Sequence, residues 1–153
     1  MPKRDLRQTH LGYLLGQALR RFDARVLHLM AHNVDVPLAL SNLAARSQIS
    51  AAHIHITRHL PRAGSRLTDL AQSAGMSKQA MGDLVTQGVA WGLVTRSVDG
   101  RDARARRLVF TADGLAWLQA FEDAIKQAEQ EFRAEVGAEV ATVIGLGLES
   151  YAQ

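Results

Sequence analysis

The sequence predicts a mainly α-helical fold carrying one small β-hairpin, on three observations. Apolar residues recur at helical spacing near both ends of the chain, two short helical segments meet at a glycine in its middle, and a turn-rich, arginine-rich stretch separates two β-leaning runs. With 153 residues, 47% of them hydrophobic and 22% charged, the chain is sized for one domain, 1–153, with a sizeable core.

The elements follow in order. From Thr9 to about Asn33, Leu11, Leu14, Leu15, Ala18, Leu19, Phe22, Val26, Leu29 and Met30 share one helix face. Asn33, Asp35 and Pro37 break that helix, and a shorter one runs from Pro37 to about Arg46, the proline suiting its first turn. Ser50 is placed to cap a third helix, Ala51 to about Leu60, which Pro61 and Gly64 end. Arg66 to Ala74 and Ser77 to about Gln87 form a helix pair around Gly75. GLVTRS and RARRLVFT then flank the turn residues VDGRDA as a hairpin. Leu115, Leu118, Phe121, Ile125, Ala128 and Phe132 line a long helix from Ala112 to Val136, and after Gly137 a last helix ends near Tyr151.

Charge is unevenly distributed. The net charge is +3, but residues 1–111 carry 16 Lys+Arg against 7 Asp+Glu, while residues 112–153 carry 2 against 8. A basic portion and an acidic tail point to one surface that meets a polyanion and another that does not. The apolar runs are too short and broken to span a bilayer, so no membrane association is expected. MPKRDLRQTH lacks the apolar run and cleavage site of a secretory signal, and the expected location is the cytoplasm. The absence of cysteine excludes thiolate metal sites and thiol redox switching.

The helix pair reads as a helix-turn-helix. Two short helices crossing steeply need a small residue at the crossing, a turn that tolerates left-handed backbone, and apolar side chains that seal the angle. Ala71 is the small residue, Gly75 the turn, and Leu70, Ala74, Met76, Met81 and Leu84 the seals. Ser77 caps the second helix, whose outward face, Ser77, Lys78, Gln79, Gly82, Asp83 and Thr86, is polar and short, as a helix lying close to base edges needs. Gln79 suits adenine, Lys78 guanine or phosphate, and Asp83 either a base contact or the orientation of an arginine.

A hairpin directly after such a pair makes a winged helix. The stretch from Arg96 to Thr111 concentrates five arginines, and a wing loop can carry arginines into the narrow minor groove, where negative potential is focused. Arg101 sits nearest the tip, Arg96 and Arg106 at the strand ends can meet phosphates, and Asp102 can brace Arg104. The partner predicted is double-stranded DNA.

These residues resemble the MarR family of transcriptional regulators. The resemblance covers most of the chain, through GSRLTDLAQSAGMSKQAMGDLV and above all DGRDARARRLVFTADG, where Asp99, Asp102, Arg104, Thr111 and Gly114 fall on the family's wing signature. Ala103, Gly100 and Phe110 depart from the usual arginine, proline and leucine, and Arg101 is placed to supply the displaced charge. The resemblance implies a homodimer built from the N- and C-terminal helices (about 6–33 and 112–151), with 37–111 as the DNA-binding lobe. It also implies a pseudo-palindromic operator and, usually, a repressor released by a small molecule. The terminal stripes, too apolar for one small domain to cover, agree with a dimer.

Other constellations are weaker. His55 and His59 are four apart and share a helix face, as do His28 and His32, but two ligands do not close a zinc site, so no metal and no cofactor are expected. Tyr13, His32, Ile54, His55 and Trp91 are effector-pocket candidates by position. The chain carries no phosphate loop, nucleophile elbow or zinc-protease helix, so no catalytic residue is expected. A metal-responsive regulator using His55 and His59, and a winged-helix module serving only protein contacts, are the alternatives.

Overall fold

The computed structural model describes residues 5–98 and 106–153. A single 3-10 turn, Leu6–Gln8, leads into α1 (Leu11–Ala31), followed by α2 (Leu38–Ala45), α3 (Ala51–His59), α4 (Leu67–Ser73) and α5 (Lys78–Ala90). Strands β1 (Val94–Val98) and β2 (Arg106–Phe110) come next, then α6 (Ala112–Val136) and α7 (Ala138–Tyr151). This is the predicted mainly helical fold with one hairpin. No helix among the described residues is long and apolar enough to cross a membrane.

Local chemistry sets the ends. His10 caps α1, which starts at Leu11 and not at Thr9, its Nδ1 accepting the Tyr13 N–H at 3.3 Å, and Pro37 sits just outside α2. Thr111 caps α6 by accepting the Gly114 N–H at 2.9 Å. Its hydroxyl also donates to the Gly92 carbonyl, and its N–H meets the Leu93 carbonyl at 3.2 Å. Gly114 lies so close to that strand entry that an added Cβ would stand 1.9 Å from the Leu93 oxygen.

One core runs through the molecule. Val26 and Met30 of α1, Leu40 of α2, Ile54 and Ile56 of α3, Met81 and Val85 of α5, Val94 and Leu108 of the hairpin and Trp117 of α6 are all essentially buried. Two polar pairs lie within it: the Trp117 indole N–H donates to Thr57 Oγ1 at 3.0 Å, and Arg58 donates to Asp23 at 2.8 Å while lying over Phe121. Burying a polar group without a partner costs roughly 1–3 kcal/mol, so these pairings are required.

The long helices depart from the predicted stripes. On α6 the buried face is Gly114, Trp117, Leu118, Ala120, Phe121, Ala124 and Ala128, whereas Leu115 and Phe132 are exposed. On α1 only Asp23, Val26 and Met30 are buried, and Leu11, Leu14 and Leu19 face outward. Alongside them, α1 and α6 are joined by paired hydrogen bonds from Arg25 to Glu131 at 2.7 and 2.8 Å and from Arg21 to Glu135 at 2.6 and 2.9 Å.

Candidate nucleic-acid interface

The helix pair is built as its residues require. Gly75 takes φ +65°, the left-handed turn that a side chain resists. Leu70, Ala71 and Met81 are buried at the crossing, with Ala74, Met76 and Leu84 partly so. Ser77 Oγ accepts the Ala80 N–H at 3.1 Å and starts α5, which runs to Ala90, three residues beyond its predicted end. Along α5, Ser77, Lys78, Gln79, Asp83 and Thr86 are exposed and Gly82 is half-buried. Thr86 turns its hydroxyl back onto the Gly82 carbonyl at 2.9 Å, which leaves the cationic, amide and carboxylate groups of Lys78, Gln79 and Asp83 as the chemistry this face offers.

The hairpin stands beside that helix. Its strands pair antiparallel with Val94 opposite Phe110, Arg96 opposite Leu108 and Val98 opposite Arg106. Paired and alternate residues point the same way, so Arg96 and Arg106 share the face that buries Val94, Leu108 and Phe110 at its base. Both arginines are exposed. Arg106 opens its strand as expected, whereas Arg96 lies at the centre of β1, because the strand continues to Val98. Arg101, Asp102 and Arg104 lie outside the described residues.

The sequence reading missed how the wing is anchored. Ser65, just before α4, forms a β-bridge with Leu108, bonding at 3.0 and 2.7 Å, and the Arg107 guanidinium donates to the Gly64 carbonyl at 2.7 Å. Gly64, at φ +84°, lets the chain pass: a Cβ there would meet the Leu108 oxygen at 2.4 Å. The hairpin base is thus tied to the start of the helix pair, and the two form one unit. A single bridged pair has no periodicity and leaves no sequence signal.

The effector candidates are dispersed. Ile54 is 1% exposed inside the core and acts in packing. Trp91 packs edge-on to His53 at 4.7 Å, Tyr13 accepts a hydrogen bond from Gln17, and His32 lies on the α1 surface with Nδ1 bonded to the His28 carbonyl at 2.8 Å. None of the five lines the shallow groove between α1 and α6 bounded by Leu29, Asn33, Ala120, Asp123, Ala124 and Gln127.

His55 and His59 do share a face of α3, with near-parallel rings 6.2 Å apart. Burial, then the neighbouring His55 and Arg58, push the His59 imidazole below its ordinary pKa. His55 Nδ1 is buried without a hydrogen-bond partner among the described residues. No group of three His, Asp or Glu placed to hold a metal occurs among the described residues, so this pair stays two ligands short of a tetrahedral site.

No family model and no curated protein matches the chain. Solved structures do. The transcriptional repressor CouR, bound to a 23-mer DNA duplex, aligns over 100% of this chain and 99% of its own, with 20% identity and a TM-score of 0.74. The PcaV transcriptional regulator from Streptomyces coelicolor, in complex with its natural ligand, aligns over 99% and 97%, at 20% identity and a TM-score of 0.64. A MarR-family protein of Mycobacterium tuberculosis in complex with salicylic acid aligns over 94% and 96%, at 23% identity and a TM-score of 0.63. Likeness over the full length of each chain settles the architecture: this protein has the winged helix-turn-helix fold of the MarR-family regulators.

Proposed function

We propose that the chain is a sequence-specific, double-stranded-DNA-binding transcriptional regulator, a binding protein of the cytoplasm and not an enzyme. It works as a homodimer on a pseudo-palindromic operator, and as a repressor that a small-molecule effector releases. The observation that carries this reading is the juxtaposition on one unit of an exposed polar helix face, Lys78, Gln79 and Asp83, with a hairpin whose outer half bears Arg96 and Arg106. Arg96 and Arg106 make no ion pair among the described residues, and cations so placed on a thin ribbon contribute little to folding and attract phosphate.

The division of labour proposed is residues 37–111 as the DNA-binding lobe and 6–33 with 112–151 as the dimerisation region. Support for the second comes from the apolar side chains left exposed there: Leu11 and Leu14 on α1, and Val140, Val143, Ile144, Leu146 and Leu148 on α7. A two-fold dimer sets two reading helices about one DNA turn apart, roughly 34 Å, which is what an inverted repeat requires. Arg101, Asp102 and Arg104 complete the proposed wing, and Ser77 the start of the reading helix. Effector release is supported by the ligands named with PcaV and the mycobacterial structure.

Duplexes selected from a random pool by the purified protein, followed by salt titration of the binding constant, test the reading. Lys78→Ala is expected to lower the log–log salt slope by about one unit across all sequences, and Gln79→Ala to cost about 1–3 kcal/mol at one base position. Normal dimers with no salt-sensitive duplex affinity would replace this reading with a module for protein contacts.

A further inference from the structure

We infer that His53 is a positioning residue for base recognition: its buried imidazole braces the last turn of α5 against the start of α3 and so fixes the rotation of the reading helix. The inference rests on the reading of α5 as the base-facing element.

The geometry is specific. His53 is 7% exposed. Its Nδ1 accepts the Ser50 backbone N–H at 3.0 Å and lies 3.2 Å from the Ser50 hydroxyl. This is half of a capping box with an imidazole in place of the usual glutamate or glutamine. With Nδ1 accepting, the hydrogen resides on Nε2, which donates to Gln87 Oε1 at 2.5 Å. Trp91, the C-cap of α5, closes over the ring edge-on at 63°. Both ring nitrogens are therefore used, one on each helix.

Apolar packing alone would not supply this constraint. Where α3 and α5 meet, Gly88 lies close under Ile56 and Val94, a non-directional contact that sets the separation of the helices. A short directional bond from a buried imidazole resists rotation of α5 about its axis. Gln79, Asp83 and Gln87 follow at intervals of four and lie along one side of α5. The braced side chain and the reading side chains therefore turn together, Gln79 standing about 12 Å along the axis from the brace.

Three substitutions separate positioning from mere stability. His53→Asn keeps an acceptor near the Ser50 N–H but is too short to reach Gln87. His53→Gln supplies both groups again, the amide N–H near Gln87 and, as an ordinary capping-box residue, an acceptor for the Ser50 N–H. Gln87→Met removes the acceptor from an exposed position. The probes are a duplex the wild-type protein selects from a random pool and a random-sequence duplex of equal length, with thermal unfolding measured in parallel. His53→Asn and Gln87→Met are each expected to reduce the selected-to-random affinity ratio about tenfold, with random-duplex affinity and salt slope unchanged and the double variant no worse than either single. His53→Gln, the conservative replacement, is expected to retain both the ratio and the melting temperature. The inference is overturned if His53→Asn keeps the ratio, if losses follow thermal stability across the three variants, or if the double variant loses the product of the single effects. A wild-type protein that selects no duplex overturns the DNA reading itself, and this inference with it.

Discussion

The lobe formed by α3, α4, α5 and the hairpin and the terminal helix α7 are both amphipathic, but they dispose of their apolar residues in opposite ways. In the lobe Met81 and Val85 are 0% exposed, and Leu70, Leu93 and Val94 are close to it. In α7 only Ala141 is buried, while Val143 is 68% and Leu146 62% exposed. The lobe's apolar side chains close into the one core they share with α1, α2 and α6. The exposed apolar side chains of α7, with Leu11, Leu14 and Leu19 of α1, are left uncovered by the described residues, the kind of patch that marks an association surface.

That contrast can be broken from either side. Met81→Ala should cost about 2–5 kcal/mol of unfolding free energy, the usual penalty for emptying a core site. The loss should appear in denaturant titrations and be the same at every protein concentration. Ile144→Glu should act through association: about 2 kcal/mol weaker dimerisation, seen as a shift to half the mass in sedimentation, with a thermal midpoint that no longer rises with concentration. A concentration-independent effect of Ile144→Glu would remove the distinction between the two regions.

The smallest effect expected lies at the α1–α6 seam. Hydrogen bonds from Arg25 and then Gln127 hold the Glu131 carboxyl at about 2, below its usual 4.5. A carboxylate depressed in the folded state contributes stability above its unfolded value and loses it as pH falls toward the folded one. Acid titrations from pH 4.5 to 2 should therefore show a shallower loss of stability in Glu131→Gln than in the wild type. The pair is solvent-exposed, so the difference is expected to be small and to shrink with added salt.

What the sequence made legible was local. Gly75, Ser77 and the seals Leu70 and Met81 act on near neighbours, so the helix pair could be read within a few residues, and the dipeptide-rich turn gave the hairpin. The rest depends on contacts far apart in the chain. Asp23 and Arg58 are separated by 35 residues and His53 and Gln87 by 34, and neither pair carries a local signature. The α6 stripe failed for a different reason. A helix of 25 residues that meets the hairpin base at one end, α1 along its length and α7 at the other has no single partner, so no single spacing describes its buried face. The histidines sit where helical spacing places them, but spacing says nothing of a third ligand.

One joint carries a mechanical consequence. Thr111 follows directly on the last residue of β2 and caps α6, bonded back to Gly92 and Leu93, so the hairpin runs into the helix with no intervening loop. A helix of 25 residues is a lever roughly 37 Å long, and a tilt of about 6° at its far end displaces the other by about 4 Å. A displacement of that size is on the order of the 3.4 Å axial rise per nucleotide of a DNA strand, so a small tilt of α6 at its far end would carry the hairpin base through about one such step.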